Sequence, residues 1–126
     1  MSEVAQQTKI PKKWRQDVCD ILNNHRDKVG ISQRARDEWL LMTAGNDNAG
    51  GYIYNLCAVL SEALADDEIN GIKIDRIGKD NGEIWEFKFK CSNDEFYGKI
   101  SLRLINKKGT KSVYIYSAHK EERSYL

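Results

Sequence analysis

The stretch Ile84-Trp-Glu-Phe-Lys-Phe-Lys-Cys91 decides the fold class, because large apolar side chains alternate in it with charged ones. Successive side chains of a β-strand point to opposite faces, so this alternation predicts a strand with one apolar and one charged face. The same period recurs in three further runs, at Ile72–Ile77, Phe96–Leu104 and Val113–Tyr116. Turn-forming residues separate these runs at Gly78–Gly82 and Lys107–Thr110. We therefore predict four strands in an antiparallel meander.

Upstream of these runs the apolar period is that of helices. The pattern predicts helices over about 12–28, from Ser32 to about Met42, and from about Ile53 to the acidic residues near Asp66. The apolar face of the sheet must be covered. We therefore predict an α+β fold with three N-terminal helices packed on one face of a four-stranded antiparallel sheet. The whole chain, 1–126, is predicted to be one domain, with a flexible arm at 1–10, helices within 11–68 and the sheet within 72–120.

Composition narrows the class of protein. Hydrophobic residues make up 40% of the 126 residues and charged residues 31%, which argues against a disordered chain. The apolar runs are too short for a membrane span, and the polar N-terminus predicts no secretory signal. The cysteines, Cys19, Cys57 and Cys91, are far apart and odd in number, which favours free thiols in the cytoplasm over disulfides or a zinc site.

Charge is distributed unevenly along the chain, although its net value is only +1. Residues 1–71 carry 8 Lys and Arg against 11 Asp and Glu, whereas residues 72–126 carry 12 against 8. The predicted polar face of the sheet carries Glu86, Lys88, Lys90, Tyr97, Lys99, Arg103, Tyr114 and Tyr116. Because cations neutralise phosphates and aromatic rings stack on unpaired bases, this face is suited to single-stranded RNA. The alternative is that these are ordinary solvent-facing residues of a sheet.

A second group of reactive side chains follows the last predicted strand, where His119 stands beside Lys120 and close to Arg123. Histidine can move a proton near neutral pH, and lysine and arginine can stabilise the extra charge of a reacting phosphate. The alternative is a surface histidine near the chain end. We assign RNA contacts to six residues: Lys88, Lys90, Arg103, Tyr114, Tyr116 and Arg123.

Three segments together resemble the RelE-type ribonuclease toxins, and in particular the MqsR-like branch. They are Ile84–Phe89, Phe96-Tyr-Gly-Lys-Ile-Ser-Leu102 and Val113-Tyr-Ile-Tyr-Ser-Ala-His-Lys120, so the resemblance covers mainly residues 72–122. It implies RNA cleavage without metal or cofactor, in which the ribose 2′-hydroxyl attacks the adjacent phosphate and leaves a cyclic phosphate and a 5′-hydroxyl. It also implies an antitoxin that covers the active face. Colicin and contact-dependent toxin nucleases share the same general sheet.

The catalytic residues implied by this resemblance follow from matching positions. Tyr97 and Lys99 match the Tyr-x-Lys of the family, Glu86 matches the polar residue after the tryptophan, and Lys120 matches the terminal lysine. His119 departs from the pattern, because the family has an aromatic residue before that lysine. The departure either provides a better proton carrier or indicates a different activity.

Three functions are therefore carried forward from the sequence. The first is a toxin-like endoribonuclease held in check by an antitoxin. The second is a non-catalytic phage or plasmid protein that binds and inhibits a host protein. The third is an RNA-binding module that does not cut its ligand. Since fold-level pattern constrains function weakly, the sequence leaves all three open.

Overall fold

The computed structural model of this chain describes residues 7–42, 52–75, 78, 80–91, 94–105 and 109–120. These residues form three α-helices and six strands. In order they are β1 (Thr8–Lys9), α1 (Lys12–Asn24), β2 (Val29–Ile31), α2 (Gln33–Met42), α3 (Tyr52–Leu64), β3 (Asn70–Ile74), β4 (Glu83–Cys91), β5 (Asp94–Leu104) and β6 (Lys111–Lys120). A single 3-10 turn, Arg26–Lys28, joins α1 to β2.

The six strands form one mixed sheet in the order β1-β3-β4-β5-β6-β2. β2 lies parallel to β6, and every other neighbouring pair is antiparallel. The prediction of four antiparallel strands preceded by all the helices is therefore wrong. β1 precedes α1, and β2 lies between α1 and α2, within the range predicted to be helical.

The two missed strands are too short for a period to be visible. β1 has two residues and β2 has three, so neither contains a full cycle of alternation that a sequence pattern could reveal. Gly30 lies inside β2 opposite Tyr114. Both strands exist because they pair with residues more than sixty positions away, which no local pattern can indicate.

The helices bury the apolar face of β4 and β5. The Trp14 ring of α1 lies 6.5 Å from the Trp85 ring, and the Trp39 ring of α2 lies 5.4 Å from the Phe96 ring. α3 approaches at Gly98, where an added Cβ would stand only 3.3 Å from a Leu60 methyl group. Glycine at this position therefore allows α3 to pack closely on β5.

The buried Arg15 connects the helical layer to the first strand. Its guanidinium donates hydrogen bonds to the carbonyls of Ile10 and Leu64 at 3.1 and 2.9 Å, and to Asp67 at 3.0 Å. Ile10 is only 2% exposed and donates its backbone N–H to the Ile69 carbonyl. Residues 8–10 of the predicted arm are thus held between α1 and β3, whereas residues 1–6 lie outside the described residues. No helix among the described residues is long and apolar enough to cross a membrane.

Candidate functional site

The polar face of the sheet holds most of the residues that the sequence singled out. Directly opposed residues of an antiparallel pair share a face, and the register of β4 and β5 pairs Glu86 with Lys99 and Lys88 with Tyr97. Lys88 Nζ lies 5.5 Å from the centre of the Tyr97 ring and 3.9 Å from a Glu95 carboxylate oxygen. β4 and β5 therefore bring two lysines, one tyrosine and one glutamate together in the middle of this face.

β6 contains an irregularity that changes which of its side chains reach the polar face. Lys99 of β5 pairs with Ser117, whereas the next residue, Ile100, pairs with Ile115. Tyr116 is thus an extra residue in β6, which is the definition of a β-bulge. Because alternation is strict in a regular strand, one extra residue reverses the face of every side chain beyond it.

His119 reaches the polar face because of this bulge. It pairs with Tyr97, and the centroids of the two rings lie 5.7 Å apart with their planes at 36°. The preceding residue, Ala118, is fully buried opposite Gly98. Without the bulge, His119 would share the buried face with Val113. The sequence put His119 just past the last strand, but it lies inside β6 and is half-buried.

A second cluster on the same face is centred on Asp80, whose side chain is 1% exposed. One of its carboxylate oxygens accepts hydrogen bonds from the Ser101 hydroxyl at 2.9 Å and the Gly82 N–H at 2.7 Å. The other accepts two from Arg103, at 3.0 and 2.7 Å, and one from the Tyr116 hydroxyl. The loop between β3 and β4 thereby reaches across β5 to β6.

At neutral pH, the Asp80 carboxyl is ionised and the Tyr116 hydroxyl is protonated. Burial acts to raise the pKa of Asp80, but the hydrogen bonds from Arg103, Tyr116, Gly82 and Ser101 outweigh it and lower that pKa to about 2. Burial and the bond to Asp80 raise the pKa of Tyr116, so its hydroxyl keeps its proton. Asp80 is therefore a carboxylate bound to Arg103, and the pair adds little net charge to the polar face.

The Arg103 guanidinium is also enclosed by aromatic rings. Its central carbon lies 4.4 Å from the centre of the Tyr114 ring and 5.7 Å from that of the Tyr116 ring. Tyr114 in turn lies over Gly30 of β2, where an added Cβ would stand 2.7 Å from the tyrosine ring. These contacts give Arg103, Tyr114 and Tyr116 structural partners within the protein. They compete with the contacts to RNA that the sequence predicted for these three residues.

The predicted site residues therefore divide into separate groups. Glu86, Lys88, Tyr97, Lys99 and His119 come together in the middle of the polar face, and we call them the central cluster. The Asp80 cluster takes up Arg103, Tyr114 and Tyr116. Lys90 is exposed near the end of β4, and it also lines a groove beside α3.

Two predicted residues cannot be placed in either group. Lys120 ends β6, but its side chain lies outside the described residues, as does the whole of Arg123.

Sequence reasoning missed Asp80 and the bulge at Tyr116. Asp80 stands in a run of turn-forming residues, where an aspartate is expected for local reasons. Nothing in that run indicates that the side chain reaches residues 101, 103 and 116. The bulge cannot be recognised in the sequence of β6 either, because it is defined by how β6 pairs with β5.

The central cluster offers groups for acid–base chemistry and for binding an anion. An imidazole beside a phenol can take up and release protons, and the adjacent lysines can stabilise negative charge. Within the described part of the chain, no group of three or more histidine, cysteine or acidic side chains is arranged to hold a metal ion. No protein-family model, curated protein or solved structure matches this chain.

Proposed function

We propose that this chain is a toxin-like endoribonuclease that binds single-stranded RNA on the polar face and cleaves it at the central cluster without a metal. The observation that carries the proposal is the pairing of His119 with Tyr97 across the bulged β5–β6 ladder, next to Lys88 and Lys99. This arrangement combines a proton carrier, an aromatic ring on which a nucleobase can stack, and two cations on one face.

The proposed reaction is an internal transfer at phosphorus. The ribose 2′-oxygen loses its proton to a base and bonds to the phosphorus, and the bond from phosphorus to the 5′-oxygen breaks. The products are a 2′,3′-cyclic phosphate and a 5′-hydroxyl, whose oxygen takes a proton from an acid. His119 and Tyr97 are the candidates for base and acid, while Lys88 and Lys99 stabilise the extra charge on the phosphoryl oxygens.

Glu86 has a positioning role in this scheme. It stands directly opposite Lys99 in the register, on the same face of the sheet. Opposite charges at such positions attract each other, so Glu86 favours one orientation of the Lys99 ammonium group. The protein partner implied by the resemblance, an antitoxin, would act by covering this face and excluding RNA from it.

The decisive experiment compares His119→Ala with His25→Ala, a matched control because His25 is the other histidine and lies exposed at the end of α1. Purified protein is incubated with total RNA in the presence of EDTA. We expect wild type and His25→Ala to generate ends bearing cyclic phosphate, and His119→Ala to be slower by about 100-fold or more.

The same experiment separates the alternatives. If intact wild-type protein binds RNA but leaves it uncut, the non-catalytic RNA-binding module is correct and the nuclease is wrong. If it neither cuts nor binds RNA, both RNA functions are wrong. A substrate with a 2′-deoxyribose before the cleaved bond should resist cleavage, and its cleavage would contradict the proposed attack by the 2′-hydroxyl.

A further inference from the structure

Ser32 connects the beginning of α2 with the bulged strand β6. Its backbone N–H donates a hydrogen bond to the Ile115 carbonyl at 3.0 Å, and its hydroxyl donates one to the Tyr116 carbonyl at 3.0 Å. The oxygen of the same hydroxyl accepts the N–H of Ala35 at 2.9 Å, which is the bond of a helix N-cap. One side chain is therefore both the cap of α2 and a partner of β6.

Two successive carbonyls of β6 point to the same side of the strand. Ile115 and Tyr116 both bond to Ser32, which follows β2 directly and lies on that side of β6. In a regular strand, successive carbonyls point to opposite neighbours. The shared direction is the backbone consequence of the extra residue in the bulge. In a regular β6 the Tyr116 carbonyl would point to β5, away from the Ser32 hydroxyl, so this bond is available only to the bulged strand.

The other end of Tyr116 is held as well, but its contacts do not favour the bulge. The Tyr116 hydroxyl donates to Asp80 and accepts a hydrogen bond from Arg103 at 2.7 Å. Tyr116 follows Tyr114 by two positions, so its ring lies on the polar face whether or not the strand is bulged. These bonds therefore fix the ring, whereas the bond from the Ser32 hydroxyl distinguishes the two forms of β6.

The orientation of His119 depends on which form β6 adopts. In the bulged strand Ala118 is buried, and the centroid of the His119 ring lies 5.7 Å from that of Tyr97. A regular strand would turn Ala118 to the polar face and His119 towards the core. Loss of one hydrogen bond of ordinary net strength would change the ratio of the two forms about fivefold.

We propose that Ser32 is a positioning residue of the central cluster. By donating its hydroxyl proton to the Tyr116 carbonyl, it holds the bulge that turns His119 towards Tyr97. Ser32 acts only through the backbone of β6 and does not touch the reacting atoms. Its effect on the orientation of His119 is independent of any activity, and its effect on RNA cleavage rests on the proposed function.

The test separates the two roles of the Ser32 hydroxyl. Ser32→Asp keeps an oxygen that caps α2, but a carboxylate has no proton to donate to the Tyr116 carbonyl. Ser32→Thr keeps both roles. Gln33→Glu is the matched control for the added charge, because Gln33 is the exposed neighbour of Ser32 at the start of α2. Ser32→Gly removes the hydroxyl at little cost to the cap, and it decides the outcome if Ser32→Asp does not fold.

The first readout is the nuclear Overhauser effect between the ring protons of His119 and Tyr97 in the full chain. We expect it in wild type, Ser32→Thr and Gln33→Glu, and we expect it to be weakened or lost in Ser32→Asp and Ser32→Gly. The ring signals of His25 serve as an internal reference. An unchanged effect in folded Ser32→Asp, or its loss in Ser32→Thr, would overturn the role given to the hydroxyl.

The second readout is the kinetics of RNA cleavage. Ser32→Asp and Ser32→Gly should lower kcat about fivefold or more, with KM changed less than about twofold because Lys88 and Lys99 keep their places. Ser32→Thr should retain wild-type kcat. A wild-type chain that does not cleave RNA would contradict the proposed function, while the comparison of His119 with Tyr97 would still decide the role of Ser32. Cleavage that is equally fast in wild type and Ser32→Asp would contradict the positioning role and leave the nuclease standing.

Discussion

The buried carboxylate of one residue, Asp80, connects three segments of the polar face. It accepts hydrogen bonds from its own turn, from two residues of β5 and from Tyr116 of β6. A carboxylate that is 1% exposed is stable only when such donors replace its water. The polar face thus has a nearly neutral end formed by the Asp80 cluster, and beside it lies the central cluster with its two lysines and one glutamate.

Asp80→Asn tests this description, because the amide keeps the shape but cannot accept bonds from all four donors. The low pKa of Asp80, about 2 against 3.8, corresponds to about 2 kcal/mol of stability. A lowered carboxyl pKa stabilises above pH 3.8, and this contribution is lost as pH falls towards 2. We therefore expect urea denaturation to show a loss of about 2 kcal/mol at about pH 7 and a smaller loss at about pH 3.

Asp75→Asn is the control for this experiment, since Asp75 is exposed on the same connection between β3 and β4. Its effect should stay within about 0.5 kcal/mol at both pH values. An equal effect of the two substitutions, or an effect of Asp80→Asn that does not change with pH, would contradict the role given to the Asp80 carboxylate.

The bulge in β6 matters at the scale of one element. One extra residue, Tyr116, lets Ile115 and Ala118 both face the core while His119 faces Tyr97. A regular strand could not satisfy these three positions together, because alternation would put His119 on the face of Ile115. The bulge therefore allows Ala118 to be buried while the next residue, His119, lies on the polar face.

Changing the length of β6 by one residue in each direction tests the bulge. Deleting Ser117 removes the extra residue, so β6 becomes regular and His119 should still face Tyr97. Inserting an alanine after Ser117 should instead turn His119 towards the core and cost more than about 2 kcal/mol. Modification of histidines by diethylpyrocarbonate, read by mass spectrometry, measures the exposure of His119, with the exposed His25 as an internal reference.

A β6 strand without the bulge would give a different pattern of His119 modification. If β6 were regular in the folded protein, His119 would already be protected from modification in the wild type, and deleting Ser117 would expose it. Both variants must first give the urea transition of a folded protein, so that a change in exposure is not confused with unfolding.

At the scale of the whole molecule, the excess of positive charge in residues 72–126 does not remain one continuous basic surface. Arg103 is bound to Asp80, and Lys111 donates a hydrogen bond to Asp17 of α1 at 2.7 Å. In the folded protein, Arg103 and Lys111 are thus paired with acidic side chains of the protein itself. The partner of Lys111 lies in the N-terminal half. Lys90 and Lys99 lie on the polar face, and the proposed function assigns them to the phosphate backbone of RNA.

The salt dependence of RNA binding should reflect this distribution. Each phosphate contact to a single strand contributes about 0.7 to the slope of log affinity against log salt concentration. Lys99→Gln should therefore reduce that slope by about 0.7, whereas Arg103→Gln should leave it unchanged. Anisotropy of a labelled oligouridine between about 50 and 200 mM salt measures both slopes. An equal reduction by Arg103→Gln would show that Asp80 releases its arginine to RNA.

Elements that repeat a period over many residues could be predicted from the amino-acid sequence. The apolar stripe of α1, the alternation in β4 and β5, and the turn before β6 can all be read locally, because a helix or a long strand imposes its period on neighbouring residues. Gly109, with a φ of 85°, is the residue that the last of these turns requires.

Contacts between distant segments could be identified only in the folded molecule. β1 and β2 are strands because β3 and β6 provide partners for them, and the bulge exists because β6 must match the register of β5. Asp80 is buried because residues 101, 103 and 116 converge on it. The physical reason is common to all three. Their stabilising contacts join residues far apart in the chain, so their free energy depends on the assembled sheet and leaves no periodic trace in the sequence.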